Sequence, residues 1–180
     1  MATDALGREH QVATVQLDFV QPARFELEYT AEDGSKQQPV MIHSALLGSI
    51  ERFLSVYIEH TAGKFPIWLA PEQLRLIQVK DSSELDAFVD KIAAIAKENG
   101  IRITIDRTNE TVGKKIRAAE VMKVPYTVVV GDKELDTEQM TPRIRSDLEI
   151  EGRKDTSYPY ENLIRSIANE IKGRVQKSSL

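Results

Sequence analysis

The sequence predicts an α/β fold, a mostly parallel sheet with helices packed against it, preceded by an antiparallel strand and helix leader. Three observations predict it. Beyond Gln73, extended and helical patterns alternate at the spacing of strand–helix–strand units. Residues 1–63 instead carry period-two runs broken by turn residues, followed by one helical stripe. Between them, Lys64 to Gln73 contains Pro66 and Pro71. Each proline drives the residue before it out of helical geometry, so this stretch is an extended connector. The expected division is therefore 1–63, a 64–73 linker, and 74–180.

In the leader, Val15, Leu17 and Phe19 alternate with Thr14, Gln16 and Asp18, the period of a half-buried strand. Phe25, Leu27 and Tyr29 repeat that pattern. A polar turn over Ala31–Ser35 and a short strand, Val40 to His43, complete antiparallel hairpins. Ile50, Phe53, Leu54, Tyr57 and Ile58 then share one helix face, and Gly63 stands where such a helix ends.

In the second part, Leu74 to Val79 reads as a strand. A helix from about Ser83 to Asn99 follows, with Leu85, Phe88, Val89, Ile92, Ile95 and Ala96 as its apolar stripe. Ile101 to Ile105 is a second strand, Thr111 to Met122 a shorter helix, and the β-branched run Tyr126 to Val130 a third strand. Gly131–Asp132 is expected to turn the chain. A weak extended segment over Gln139 to Arg145 and a helix from Tyr160 to Val175 complete the pattern.

Composition excludes several classes. The 180 residues are 41% hydrophobic and 29% charged, which fits a packed globular chain rather than a disordered one. No apolar run reaches the length of a membrane helix, and Met1 to His10 lacks the apolar stretch of a secretory signal. A cytoplasmic location is expected. Cysteine is absent, which removes disulfides, thiol nucleophiles and thiolate metal ligands. The formal net charge is -4, so the bulk positive field of a non-specific nucleic-acid binder, DNA binders included, is missing. Charge is nevertheless uneven. Ile101 to Pro125 carries Arg102, Arg107, Lys114, Lys115, Arg117 and Lys123 against Asp106, Glu110 and Glu120, and Arg143 and Arg145 follow. By residue type alone these are solvated helix faces.

More specific are the segments themselves. The run P-V-M-I-H-S-A-L-L-G-S-I-E-R-F, Pro39 to Phe53, closely resembles motif 3 of the class II aminoacyl-tRNA synthetases in its threonyl form. D-A-L-G-R-E-H-Q-V-A-T-V-Q-L-D-F from Asp4, F-P-I-W-L-A-P from Phe65, N-E-T-V-G-K-K-I-R from Asn109 and V-P-Y-T-V-V-V-G-D-K-E from Val124 occur in the family's order and spacing. The resemblance to threonyl-tRNA synthetases runs from about Asp4 to Lys172. It implies the tail of a class II catalytic domain followed by the anticodon-binding domain of these enzymes, a mixed, mostly parallel sheet with three helices.

The resemblance also implies residue roles. Arg52 would lie over adenine as a flat cation on a π face and act in catalysis, with Gln11, Thr14 and Ser49 facing ATP and Gln16 holding threonine. His43 would be one of three zinc ligands, the metal selecting threonine through its hydroxyl. Asn109, Arg117, Glu134 and Arg143 would read the anticodon, where an amide, guanidiniums and a carboxylate meet the edges of unstacked bases. The basic excess near Ile101 to Pro125 would add phosphate contacts. Simpler readings of the same residues stay open: Glu51 and Arg52 as a wet helix face, His43 as a structural histidine, and Arg117 paired with Glu134.

Motifs 1 and 2 and two zinc ligands are not found in the chain. The expectation is that it is catalytically inactive alone and binds neither zinc nor ATP with magnesium tightly. Residues up to about His60 should expose an unpaired sheet edge and part of an apolar face. The expected partner is threonine tRNA. The parent enzyme is expected to be a homodimer and this chain a monomer without membrane association. Val12–Ala13 and Ser44 depart from the family's usual residues, Ser44 standing where an arginine is common. An alternative of another class is a free-standing accessory or regulatory module that uses the anticodon-binding fold to bind a different RNA or a protein.

Overall fold

A computed structural model describes residues 1–150 and 156–180. The chain divides into two compact units, Met1–Gly63 and Lys64–Leu180.

The first unit is a series of antiparallel hairpins and one amphipathic helix. β1 (Ala2–Thr3) pairs with β2 (Glu9–His10) around a turn organised by Asp4. The Asp4 Oδ1 atom accepts the N–H groups of Leu6 and Arg8, both at 2.9 Å, while Oδ2 meets Arg8 Nε at 2.6 Å and His10 Nε2 at 2.9 Å. These contacts, led by His10, hold the Asp4 carboxyl far below the usual carboxylate range. β3 (Ala13–Asp18) leads into a short helix, α1 (Gln21–Arg24), then to the small hairpin β4 (Tyr29–Thr30) and β5 (Lys36–Gln37). β6 (Met41–Leu46) returns antiparallel to β3 over six paired positions, and α2 (Ile50–Thr61) follows.

Phe25 to Tyr29 differs from the sequence expectation. Pro22 sits at the start of α1, where its fixed φ suits a first helical turn. Phe25 caps that turn and Glu26 is left-handed at φ 52°, so alternation cannot continue and the strand begins only at Tyr29. The end of α2 follows expectation: Ala62 and Gly63 are left-handed, and the Gly63 N–H reaches back to the Ile58 carbonyl at 3.1 Å. Apolar side chains of this unit stand open, with Val15 73% and Leu46 80% exposed.

The second unit holds the hydrophobic core of the described residues. β7 (Leu74–Gln78), α3 (Ser83–Glu98), β8 (Ile103–Asp106), α4 (Val112–Val121) and β9 (Tyr126–Val130) alternate as predicted. The sheet order is β11-β9-β7-β8, where β11 is Arg143–Ile144. β7 is central and parallel to both β8 and β9, while β11 closes the edge antiparallel to β9. Between β9 and β11 come a short helix, α5 (Asp132–Thr137), and β10 (Gln139–Met140). β10 pairs antiparallel with β12 (Tyr158–Pro159), which leads into the last helix, α6 (Tyr160–Gly173).

Helix starts are set by small polar side chains. Ser82 accepts the Leu85 N–H at 3.2 Å and Thr111 the Lys114 N–H at 3.4 Å. The sheet's two faces differ in cover. Leu74, Leu76, Tyr126, Val128 and Val130 pack with the stripes of α3 and α6 into one core. α4 packs on β7 and β9 through Ala119 and the buried Lys115, whose Nζ donates to the Gln78 carbonyl at 2.9 Å. β11 reaches the sheet late and is short, so the face beside β9 stays open at that edge.

Residues 64–73 are held within this unit. Arg102 donates to the carbonyls of Ala70 and Trp68, and Gln73 ties the Ile67 carbonyl to the Arg102 N–H. At the other end, Glu170 is buried and accepts hydrogen bonds from the Tyr126 hydroxyl and from the N–H and hydroxyl of Ser179. A buried carboxylate is tolerable only with such partners.

The contrast between the units is measurable. Leu76→Ala is expected to cost about 2–5 kcal/mol, because the side chain is fully buried and leaves a cavity. Leu17→Ala, 61% exposed, should change stability by under about 0.5 kcal/mol. Trp68, the single tryptophan, lies in the second unit, so its fluorescence during urea unfolding reads the first change and should not register the second.

Candidate nucleic-acid interface

The β3–β6 register places Gln16 opposite His43 and Thr14 opposite Ala45. Residues directly opposite share a face, so Thr14, Gln16, Asp18 and His43 lie together. His43 Nε2 is 2.9 Å from Asp18 Oδ2. Asp18 also accepts the N–H groups of Val20 at 2.8 Å and Gln21 at 2.9 Å. Ser44 pairs with Val15 and so faces away from His43, and Ala13, paired with Leu46, shares the Ser44 face.

Around the start of α2 the backbone closes on itself. Gly48 is left-handed at φ 59°, and a Cβ there would stand 3.4 Å from the Gln11 carbonyl oxygen, so glycine suits both the conformation and the approach. Ser49 is the helix N-cap, with a long contact of 3.5 Å from the Arg52 N–H, and its hydroxyl donates to Glu51 at 2.5 Å. The Arg52 side chain is exposed and has no partner among the described residues.

Zinc needs about four well-placed ligands in a structural site or three plus an open position in a catalytic one. His43 and Asp18 supply two donors, and no group of three His, Asp or Glu converges among the described residues. These residues by themselves do not fit the ion.

In the second unit a pocket of about 660 Å³ opens on the sheet face between the end of α4, β9 and β11. Ile116 and Glu120 from α4, Thr127 and Val129 from β9, Glu134 from α5 and Arg143 from β11 line it. β9 supplies alternate residues to opposite sides, Thr127 and Val129 to the pocket and Tyr126, Val128 and Val130 to the core. Glu134 Oε2 accepts the Gly131 N–H at 3.0 Å, which caps α5 and orients the carboxylate. Arg143 is exposed and unpaired among the described residues. Among the described residues the pocket therefore offers an acceptor-only group and an uncommitted donor-only fork beside apolar walls.

Of the anticodon-reading expectations, the structure brings Glu134 and Arg143 together in this lining. Asn109, in the turn between β8 and α4, and Arg117, on the exposed side of α4, lie outside the lining. No ion pair joins Arg117 to Glu134 among the described residues.

The basic segment is less available than its composition suggests. Arg102 holds the Trp68 and Ala70 carbonyls, and Arg107 meets Asp90 at 2.9 Å and Gln78 Oε1 at 2.9 Å. Lys114 pairs with Glu110 at 2.6 Å, and Lys115 is buried on backbone carbonyls. Arg117 and Lys123 keep uncommitted side chains among the described residues. The adjacent arginines also separate: Arg145 braces Asp147, the Lys123 carbonyl and the Phe65 carbonyl, while Arg143 is left to the pocket. The family resemblance names Arg143 and not Arg145; in the structure the two differ in their hydrogen bonds.

Comparison with known proteins finds two family matches along the chain. Residues 73–170 match the family described as anticodon binding domain, and residues 1–61 match the tRNA synthetase class II core domain (G, H, P, S and T). Threonine–tRNA ligase of Streptomyces avermitilis is 45% identical over 175 residues, which is 97% of this chain and 26% of that protein. The Clostridium botulinum (strain Hall) threonine–tRNA ligase is 43% identical over 171 residues, 95% of this chain and 26% of that protein. The chain thus spans about a quarter of the length of the curated relatives it matches. Among solved structures, the RNA binding domain of threonyl-tRNA synthetase from Cryptosporidium parvum superposes with a TM-score of 0.78 at 32% identity, covering 98% of this chain and 42% of that one. A prolyl-tRNA synthetase from the same organism, at 22% identity and a TM-score of 0.62 over 89% of this chain and 36% of that one, shares the fold.

The hairpin chemistry can be tested by titration. The Asp18 carboxyl lies below its ordinary value, first because of the Gln21 N–H and next because of His43. A carboxyl lowered by folding stabilises above its unfolded pKa, about 3.9, and that contribution is lost as the pH falls through the folded value. His43→Ala is expected to raise the Asp18 pKa part of the way back, the N–H contacts of Gln21 and Val20 remaining. Side-chain carboxyl NMR reads the shift, and an unchanged or lower pKa would contradict it.

Proposed function

Because the chain belongs to the anticodon-binding domain family and joins that domain to a class II synthetase core segment in the combination seen in threonyl-tRNA synthetases, we propose that it serves a threonine–tRNA ligase by reading the anticodon of threonine tRNA. The observation that carries this reading is the pocket in which a capped carboxylate, Glu134, and a guanidinium without a partner among the described residues, Arg143, flank apolar walls. Bases of a single-stranded loop are recognised by such donors and acceptors on their edges, with apolar or planar groups against their faces. Residues 1–63 serve as the catalytic-domain tail, 64–73 as the connection and 74–180 as the RNA-binding part. Asn109 and Arg117 read bases beyond the pocket rim, and Arg117 and Lys123 are the cations left for phosphate.

In the parent ligase, Gln11, Thr14, Ser49 and Arg52 contribute to the ATP site and Gln16 and His43 to the threonine and zinc site. ATP with magnesium would supply the activation chemistry there, and zinc would need ligands beyond His43. From this chain, the α2 start presents Arg52 and the capped Ser49, and Asp18 orients the His43 ring through the 2.9 Å contact. The chain alone is inactive in threonine-dependent ATP–pyrophosphate exchange, and the parent acts as a cytoplasmic homodimer.

Filter binding tests the RNA reading. Threonine tRNA should bind the chain more tightly than transcripts with a substituted anticodon. Arg143→Ala should reduce that difference by about tenfold, the size of one lost charged hydrogen bond. Equal affinity of the parent chain for every tRNA would favour a free-standing accessory module instead.

A further inference from the structure

The floor of the pocket carries a polar group that no assigned role uses. Thr127 is only 6% exposed, yet its side chain lines the pocket rather than the core. The β11–β9 register sets it directly opposite Arg143, so both side chains rise from the same face. Its neighbour across the parallel pairing, Arg75, is turned to Glu72 in two contacts of 2.7 and 2.5 Å. The Thr127 hydroxyl has no hydrogen-bond partner among the described residues. The residue is mostly covered, but its hydroxyl is accessible from the pocket, where a ligand group can meet it.

We propose that the Thr127 hydroxyl is a base-contacting, specificity-determining group of this pocket. It acts between Glu134 and Arg143 on one unstacked nucleotide. Glu134 can only accept and Arg143 can only donate, whereas a hydroxyl does either and rotates to suit. Ile116 and Val129 beside it offer apolar contact for the flat face of the base. This assignment rests on the anticodon-reading function proposed above.

Its test uses the full chain and the anticodon stem-loop of threonine tRNA, with each of the three anticodon bases replaced in turn. Thr127→Val keeps the shape and favours a strand, so the fold should survive, with the Trp68 thermal transition unchanged or raised. It is expected to weaken binding of the unmodified loop by about threefold to tenfold. That loss should vanish on the loop altered at the one base Thr127 contacts, and Thr127→Ser should restore most of the affinity. Wild-type affinity of Thr127→Val, or an equal loss on all four loops, overturns the assignment. If Arg143→Ala still shows base-dependent losses in that case, anticodon reading stands and only the role of Thr127 falls. A parent chain that binds all four loops equally overturns both.

Discussion

One strand carries the constraint on which the second unit depends. β9 has five residues and two faces, and each face has a different task. Tyr126, Val128 and Val130 join the core with α3 and α6, while Thr127 and Val129 look into an open pocket. A slip of one residue would exchange the two sets, exposing three large side chains and burying a threonine hydroxyl in a dry core. The parallel pairing to β7 over five positions prevents it. Stability and the geometry of the pocket are therefore settled by the same hydrogen-bond ladder.

The surroundings of β9 explain why the pocket is polar on one rim and apolar below. Its antiparallel neighbour β11 is only two residues long, which leaves the α4 side of the sheet open at that edge. Arg143 starts that strand and Arg145 follows it, and both reach the pocket lining. Arg145 is drawn into Asp147 and two backbone carbonyls, tying β11 to the segment near Phe65. Arg143 faces the same way as Thr127 and has no side-chain partner among the described residues. Glu134 enters from α5 with its position set by the cap at Gly131. Thr127, Glu134 and Arg143 are thus placed by backbone structure, with no ion pair among the described residues, which leaves hydrogen-bonding capacity for a ligand.

Legibility followed pattern strength. The β-branched run Tyr126–Val130 and the long stripe of α3 stood out because burial on a sheet or against one helix face imposes a regular period. α5 was missed because Gly131–Asp132 resembles a turn and the six residues of the helix, starting at Asp132 itself, are too few and too acidic for a helical stripe. Phe25 to Tyr29 misled for the opposite reason, alternating in type while Pro22 and a left-handed Glu26 bend the backbone. Glu134 and Arg143 were reachable through family resemblance. Thr127 was not, since inside a β-branched run it reads as one more strand residue until β11, sixteen positions later in the pairing of 127 with 143, shows which face is open. The basic segment was overread because composition cannot tell Arg117 from the committed Arg102, Arg107, Lys114 and Lys115.

The two-faced role of β9 is open to direct observation by NMR of the chain with methyl-labelled threonine and valine, titrated with the threonine anticodon stem-loop. The expected result is an alternating pattern, with Thr127 and Val129 methyls shifting and Val128 and Val130 nearly still. Shifts as large at Val128 and Val130 as at Thr127, or perturbation confined to the α3 and α6 side of the sheet, would contradict it.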